Sequence, residues 1–395
     1  MTNYSLASSS WDAAEYEALQ RVIKSNQYTM GAEVRAYEKA FAEKLGAQYA
    51  VMTSSGSAAN LLMTATLFYT EDLQRRLARG DEVIVPAVGW STSYFPLQQH
   101  GLRLIFVDID RDTLNYDLDQ LRQAINERTK AVLAVNLLGN PNDFNEIDAI
   151  LKGSTAVLLE DNCESLGAEL AGRQAGTFGL MGTFSSFFSH HISTMEGGCV
   201  VTDDEELYHI MLSLRAHGWT RDLPHYNRVS GEKSTDPFDE SFKFVLPGYN
   251  LRPLEMSGAL GTEQLKKMPD LIRVRRDNAA YLKNVVSNDL GVTIQKEIGE
   301  SSWFGFSLVV NEGERFTRND LVKELSRSEI ECRPIVTGNF LKNKKVLSYF
   351  DYSIFDEVSN AEYVDKNGLF VGNHHYPLED EINLLGEALA RLGKK

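Results

Sequence analysis

The chain has 395 residues and a formal net charge of -15 at pH 7. This length allows two domains that share a cleft. The acidic charge argues against nucleic acid or an anionic membrane surface as a partner, because both attract a basic face. The three cysteines form no CxxC pair, and no apolar run reaches the roughly 20 residues that span a bilayer. Since the chain also starts without a basic, apolar leader, we expect a soluble cytoplasmic protein without a disulfide framework.

Apolar residues recur at helical spacing over residues 12–24 and 33–45, which predicts two helices before the first strand. Short apolar runs then alternate with helical segments, and the predicted strands are YAVMT, EVIVP, RLIFVDID, AVLAVNLLG and AVLLED. This alternation predicts an α/β fold with a mainly parallel sheet covered by helices on both faces. The polar segment 222–241 is predicted to be a long surface loop. The pattern weakens after about residue 265, so we predict a large domain over residues 1–265 and a smaller C-terminal α+β domain over 266–395.

In parallel sheets, ligands bind beyond the carboxyl ends of the strands, so the residues that follow each strand are candidates for chemistry. The motif TSSGSAAN places Gly56 and Ser57 at the start of a helix, which favours a bound phosphate or forms a plain helix cap. The motif VLLEDNCES places Asp161 at a strand end. A carboxylate there either holds the proton of a heterocyclic nitrogen or caps the next turn.

Two further motifs lie at turns. PAVGWSTS places Trp90 after a strand, where the indole either stacks on a flat cofactor ring or packs into the core. LPGYNLRPLEM carries Asn250 in a glycine-containing turn that either contacts a ligand or links two elements. None of the four motifs is specific by itself.

The segment FSSFFSHHISTMEGG contains two adjacent histidines, His190 and His191. They could be metal ligands, proton carriers or polar residues in an ordinary turn. Successive side chains tend to diverge, and no third ligand lies at a usual spacing, so no metal site is predicted.

Taken together and in this order, the motifs resemble the sugar aminotransferase family of pyridoxal-phosphate enzymes, the fold-type I group that acts on nucleotide-linked keto sugars. The resemblance covers essentially the whole chain and includes GDEVIVPA, LLEDNCESLGA, RAHGW and GYNLRPLEMSGALGTEQL. It implies that Gly56, Ser57 and Ser185 hold the cofactor phosphate. It also implies that Trp90 stacks on the cofactor ring and that Asp161 pairs with the pyridinium nitrogen.

The resemblance implies further contacts. Asn250 would reach the phosphate bound by a neighbouring subunit, which implies a homodimer with composite active sites. Glu164 stands where aminotransferases usually carry glutamine, beside the phenolic oxygen of the cofactor. There it either favours protonation of the ligand or hydrogen-bonds as the glutamine would. The residues placed in the sugar pocket by family position are Ser189, His217, Arg221 and Glu331.

The family motif S-F-x-x-x-K is followed, six residues after its lysine, by E-G-G. Counting forward from Ser185 and back from Glu196 gives the same position, which is His190, and no lysine lies between residues 153 and 232. A lysine amine tethers the cofactor aldehyde as an imine and also moves a proton. An imidazole forms no stable imine but moves protons near neutral pH. We therefore predict that His190 is the catalytic base and that His191 supports it.

Histidine at this position resembles a small branch of the family, the nucleotide-sugar 3-dehydratases. That branch implies pyridoxal 5'-phosphate and its pyridoxamine form as cofactor, a GDP-linked 4-keto-6-deoxy sugar as substrate and L-glutamate as amine donor. A second type of 3-dehydratase needs an iron–sulfur cluster, which three scattered cysteines disfavour. A 4-aminotransferase is disfavoured by the missing lysine. A non-catalytic sensor is disfavoured because it usually carries a DNA-binding domain, for which the length and the acidic charge leave no room.

Overall fold

The computed structural model describes residues 4–393, except for the side chain of residue 288. The strands in this range are β1 (Tyr49–Thr53), β2 (Glu82–Pro86), β3 (Arg103–Val107), β4 (Thr129–Val135), β5 (Val157–Asp161), β6 (Glu169–Leu170), β7 (Arg173–Gln174), β8 (Met181–Ser185), β9 (Gly198–Thr202), β10 (Tyr226–Asn227), β11 (Gly231–Glu232), β12 (Val292–Thr293), β13 (Gly305–Val310), β14 (Cys332–Arg333), β15 (Tyr352–Ile354) and β16 (Gly368–Gly372).

The α-helices in the same range are α1 (Ala13–Ser25), α2 (Ala32–Leu45), α3 (Gly56–Thr66), α4 (Ser91–Gln99), α5 (Leu118–Ala124), α6 (Phe144–Leu151), α7 (Glu205–Arg215), α8 (Pro237–Glu240), α9 (Glu255–Val285), α10 (Arg318–Arg327), α11 (Lys344–Leu347), α12 (Ser359–Asn367) and α13 (Glu379–Gly393). Short 3-10 turns cover Leu137–Gly139, Asn288–Leu290 and Phe340–Lys342. No helix within residues 4–393 is both long and apolar enough to cross a membrane.

The large sheet has the strand order β1-β9-β8-β5-β4-β2-β3-β15. Neighbouring strands run parallel from β8 to β15, whereas β9 runs antiparallel to both β1 and β8. The predicted α/β fold with a mainly parallel sheet is therefore confirmed. Strands β8 and β9 are not among the predicted strands, because glycine, serine and threonine dilute the apolar signal of MGTFS and GCVVT.

The C-terminal part of the chain forms a second sheet with the order β12-β13-β16-β14, in which all pairs are antiparallel. Helices α10 and α13 pack on it, and this layer has its own apolar core around Phe306, Leu308, Val371, Leu385 and Leu389. Two features link it to the large sheet. Helix α9 runs through the boundary predicted at residues 265/266, and β15, from the C-terminal part of the chain, pairs with β3.

The segment 222–241, predicted to be a surface loop, is mostly irregular but includes the short hairpin β10–β11 and the single turn α8. The connection between β8 and β9 carries the two histidines. Because β9 returns antiparallel beside β8, this connection is held at the carboxyl end of the sheet. The histidine segment therefore lies beside the residues that follow β2, β4 and β5.

Candidate active site

A cavity of about 320 Å³ lies at the carboxyl ends of the parallel strands of the large sheet. Residues from distant parts of the chain form its wall: Gly56 begins helix α3 and Asp161 ends strand β5, while Phe304 and Arg333 come from the C-terminal part. The predicted site residues that line this one cavity are Gly56, Ser57, Trp90, Asp161, Glu164, Ser185, Ser189 and His190.

Asp161 is held at the carboxyl end of β5 by three hydrogen bonds. Its Oδ2 accepts from Asn60 Nδ2 at 2.8 Å and from Ser93 Oγ at 2.6 Å, and its Oδ1 accepts from the backbone N–H of Cys163 at 3.1 Å. Thr183 Oγ1 donates to Asn60 Oδ1 at 2.6 Å, so the amide of Asn60 is itself fixed in orientation. A buried carboxyl group with this donor set keeps a single orientation and can accept a hydrogen bond from the N–H of a protonated heterocycle.

The start of helix α3 and the end of β8 together form a cradle for an anion. The N-cap Ser55 satisfies the backbone N–H of Ala58. The N–H groups of the first turn, at Gly56 and Ser57, belong to the positive end of the helix dipole. A Cβ added at Gly56 would lie 2.6 Å from Ser185 Cβ, so only glycine leaves this cradle open. A phosphate is the anion that such a helix start commonly binds.

Trp90 presents a flat ring to the same cavity. It is the N-cap residue of α4, and its side chain is 55% exposed although it lies at the cavity wall. An indole that is neither buried in the core nor covered by protein offers a face on which a planar ligand can stack.

His190 is half-buried in the cavity wall, between two aromatic rings. The ring of Phe304 lies 5.0 Å away and the ring of Phe187 5.9 Å away, measured between centroids. Its Nδ1 is buried and has no hydrogen-bond partner among residues 4–393. Burial, followed by the charges of Arg275 and Arg333, lowers the pKa of His190 to about 3. The imidazole is therefore neutral at physiological pH and able to accept a proton.

The cavity lining contains no lysine among the described residues, and its basic side chains are His190 and Arg333. The wall therefore offers no primary amine that could form an imine with an aldehyde ligand. His190 has the place and the protonation state of a base, but it cannot take the tethering role of a lysine.

His191 points away from the cavity and is buried. Its Nε2 lies 3.1 Å from the carbonyl oxygen of Ser302 in the C-terminal part of the chain. This contact fits the predicted supporting role, since it ties the histidine segment to the segment that carries Phe304, just before β13. In the part of the chain that the structure describes, no group of three or more His, Cys, Asp or Glu side chains could hold a metal ion.

Glu164 lies in the cavity wall near Asp161, and its Oε2 accepts from the backbone N–H of Leu138 at 3.1 Å. Burial raises the pKa of Glu164 to about 7, although the hydrogen bond from Leu138 acts in the opposite direction; the charge of Asp161 raises this pKa further. Glu164 is therefore a second group that can hold or release a proton near neutral pH.

This raised pKa predicts a pH-dependent effect of Glu164→Gln on stability. Folding favours the protonated carboxyl, so the stability cost of Glu164 is absent below the unfolded pKa and grows as the pH rises from about 4.5 to about 7. Between pH 5 and pH 8 the variant should gain about 1–2 kcal/mol in free energy of unfolding relative to the parent. Urea unfolding of the cofactor-free proteins measures this gain. Glu17→Gln, at an exposed position on α1, is the control and should show none. An equal gain in both variants would contradict the assignment.

Four predicted residues do not line the cavity. Asn250 is exposed and accepts from Arg252 Nε, while Arg221 lies over the ring of Trp219. His217 also contacts that ring. Glu331 accepts from the backbone N–H of Leu6 and lies on another face, two residues from the cavity residue Arg333. The roles of these four residues stay predictions.

The structure also brings in residues that sequence reasoning missed. Asn60 lies one helical turn after Gly56, so the spacing within TSSGSAAN could have indicated it. Ser93 follows Trp90 in the same motif as that tryptophan. No local signal identifies Phe304 or Arg333, because each reaches the cavity only through the packing of the small domain.

The chain belongs to the DegT/DnrJ/EryC1/StrS aminotransferase family, which matches residues 9–376. The chain is similar to the GDP-4-keto-6-deoxy-D-mannose 3-dehydratase of Yersinia pseudotuberculosis. The two are 64% identical over 391 residues, which is 99% of each chain. The enzyme of the same name from Escherichia coli O55:H7 is 61% identical over 98% of this chain and 100% of its own.

Solved structures of a GDP-4-keto-6-deoxymannose 3-dehydratase superpose closely on this chain. One contains a trapped geminal diamine of pyridoxal phosphate and glutamate; it is 61% identical, has a TM-score of 0.96 and covers 98% of this chain and 100% of its own. Another is a variant with a histidine replaced by asparagine, with bound GDP-perosamine; it has the same identity and coverage and a TM-score of 0.97.

Proposed function

We propose that this chain is a 3-dehydratase that depends on pyridoxal phosphate and L-glutamate. It removes the C3 hydroxyl of GDP-4-keto-6-deoxy-D-mannose, gives GDP-4-keto-3,6-dideoxy-D-mannose and releases ammonia, as a step in the synthesis of dideoxysugars such as colitose for O-antigen. The observation that carries this proposal is His190, a neutral imidazole in an aminotransferase-type cavity whose described lining has no lysine. Identity above 60% to enzymes of this name, over nearly the whole chain, supports the choice of substrate.

The residues present fit the proposed cofactor. The open cradle at Gly56 and Ser185 suits its phosphate, Asp161 suits its ring nitrogen and the exposed indole of Trp90 suits its ring face. When bound, this cofactor takes an amine from glutamate and provides an electron-withdrawing ring next to the sugar.

The proton transfers fall to His190. Its Nδ1 is buried, so Nε2 is the nitrogen that can exchange a proton with a ligand in the cavity. Neutral at the working pH, it removes a proton from the ligand and delivers it to the departing C3 hydroxyl. The rings of Phe187 and Phe304 on either side limit the access of water to this nitrogen.

A product assay tests the proposal directly. The purified protein, pyridoxal phosphate and L-glutamate are incubated separately with GDP-, dTDP-, CDP- and UDP-linked 4-keto-6-deoxy sugars. We expect a 3-deoxy sugar and ammonia, with the highest rate for the GDP sugar. Formation of a 4-amino sugar would replace the proposal with a 4-aminotransferase, and a higher rate with another nucleotide would change the substrate.

Gly56→Ala should weaken the binding of pyridoxal phosphate. The added methyl would approach Ser185 Cβ to 2.6 Å and Cys163 Sγ to 3.0 Å, which narrows the phosphate cradle. Overpacking of about 1–3 kcal/mol corresponds to a roughly 5- to 150-fold loss of affinity. Fluorescence titration with the cofactor measures the change. Gly393→Ala, where an added methyl meets open space, is the control, and equal affinity in both variants would remove Gly56 from the cradle.

The homodimer with composite active sites is also part of the proposal. The segment that precedes Asn250 exposes several large aromatic side chains: Tyr226 at 70%, Phe238 at 85%, Phe242 at 69% and Phe244 at 55%. Apolar surface of this extent favours contact with another protein surface. A second copy that covers this surface would lie close to Asn250, which the family resemblance assigns to the cofactor phosphate of a neighbouring subunit.

The cysteines Cys163, Cys199 and Cys332 are all free. Free thiols suit a reducing cytoplasm, so we also propose that location.

Mixing of inactive subunits tests the composite site. If Asn250 completes the neighbouring site, His190→Asn and Asn250→Ala are each inactive as homodimers, but a heterodimer has one site free of both changes. Random reassociation of equal amounts should restore activity in about a quarter of all sites. Lack of any recovery, with heterodimers shown by mass spectrometry, would contradict the composite site.

A further inference from the structure

Arg275, on helix α9, is a buried cation whose partners are carbonyl groups instead of a carboxylate. Its Nη1 donates to the backbone oxygens of Asn373 at 2.7 Å and Phe304 at 3.1 Å, and lies 3.5 Å from that of Trp303. Its Nε has no partner among residues 4–393, and only 5% of the residue is exposed. Burial lowers the pKa of Arg275 to about 10, so the guanidinium still carries its charge at pH 7. An uncompensated buried charge is costly, which points to a role other than stability.

This cation is linked to the catalytic histidine through one residue. Arg275 binds the carbonyl of Phe304, and the ring of Phe304 lies 5.0 Å from the ring of His190. Burial, and after it the charge of Arg275, also lowers the pKa of His191 and of His375. The positive charge of Arg275 thus acts on several imidazoles around it, and His190 is the one that faces the cavity.

The other ionisable groups that face His190 do not neutralise this effect. Arg333 adds a second positive charge at the cavity wall, while Cys163 and the carboxyl groups of Asp161, Glu164 and Glu196 line the same cavity. None of them pairs with the buried Nδ1 of His190. Catalytic histidines usually hold such a nitrogen against a carboxylate or a carbonyl, which stabilises the imidazolium. His190 has no such support.

We propose that Arg275, together with Phe304, is a positioning residue that keeps the protonated form of His190 short-lived. Protonation places a hydrogen on both ring nitrogens, and the buried Nδ1–H then has no acceptor among residues 4–393. The charges of Arg275 and Arg333 also oppose a positive charge on the ring. This inference rests on the proposed function. The proton that His190 Nε2 takes from a carbon of the ligand passes to the C3 hydroxyl oxygen, which leaves as water with the electron pair of the broken C–O bond. The electron pair of the broken C–H bond forms the new double bond. Arg275 thereby favours onward transfer of the proton over its retention.

Arg275→Gln tests the inference through the pH profile of kcat/KM. Burial is the larger cause of the lowered pKa of His190 and stays in the variant, so loss of the Arg275 charge should raise this pKa only in part. The loss of kcat/KM on the acid side should therefore begin at a higher pH in the variant than in the parent. The ratio of the variant's kcat/KM to that of the parent at each pH cancels the titration of Glu164, because both proteins contain this carboxyl group. Arg275→Lys keeps a cation and should follow the parent. The matched control is Arg276→Gln, at a neighbouring arginine that binds carbonyls of Ser301 and Gly167.

Carbon-13 NMR of labelled histidine gives a readout that does not depend on activity. The His190 signal is assigned with His190→Asn in the cofactor-free proteins, and it should titrate at a higher pH in Arg275→Gln than in the parent. If Arg275→Gln does not fold, Arg275→Met against Arg275→Lys carries the same test, because the first variant removes the charge and the second keeps it. Unchanged His190 titration in a folded variant would overturn the inference. A parent that makes no 3-deoxy sugar would instead overturn the proposed function.

Discussion

His190→Asn should fold, bind pyridoxal phosphate and lose the dehydration reaction. Asparagine fills a similar space but has no group that accepts a proton near neutral pH, so the general base is lost. Loss of such a base typically costs about 10²- to 10⁴-fold in rate. Single-turnover assays with the GDP-linked keto sugar measure the loss, while absorbance of the bound cofactor shows that the site is intact. The half-reaction with glutamate should be impaired as well, because it also needs proton transfer.

His191→Asn is the matched control, since it makes the same change one residue further on. It removes the contact with the carbonyl of Ser302 and should cost about 1–3 kcal/mol of stability while the product stays the same. A His190→Asn variant that works within a few-fold of the parent would remove His190 from the mechanism. Equal losses in both variants would mean that the segment matters for its shape and not for a base at position 190.

His190→Lys should divert the protein from dehydration. The new amine would face the cavity, where it can form a covalent link with the cofactor aldehyde that absorbs in the near-ultraviolet or visible range. An unperturbed lysine has a pKa of about 10.4 and tends to hold its proton, whereas the neutral imidazole of the parent is free to accept one. We expect the 3-deoxy product to fall by at least about 10²-fold, with a trace of 4-amino sugar.

Borohydride reduction followed by peptide mapping tests the same prediction chemically. The parent should give no pyridoxyl-lysine, because the described cavity lining has no lysine, and the variant should give a modified peptide that contains position 190. A pyridoxyl-lysine in the parent would overturn the reading of position 190. Dehydration by the variant at the parent rate would show that the histidine does not select elimination.

Some residues of the site follow from local sequence patterns, whereas others reach it only through long-range packing. Asp161, Gly56 and Trp90 follow predicted strands, and their cavity is where a parallel sheet places such residues, so local patterns sufficed to find them. The domain boundary at residues 265/266 stays a prediction; helix α9 runs through it, and strand β15 pairs with β3 of the large sheet. The apolar patterns of α9 and β15 do not indicate which of the two sheets each element packs against or joins.

The chemical identity of the site follows from the sequence alone. Histidine in place of lysine at position 190 is fixed by its spacing from Ser185 and Glu196, and an imidazole cannot form a stable imine in any environment. The tertiary structure decided how that imidazole behaves. Phe304 and Arg275 are more than eighty residues away from His190 along the chain. Only tertiary packing brings the ring of Phe304 beside His190 and Arg275 onto the carbonyl of Phe304. Proton affinity depends on burial and on neighbouring charge, and both are properties of the folded chain that no local pattern contains.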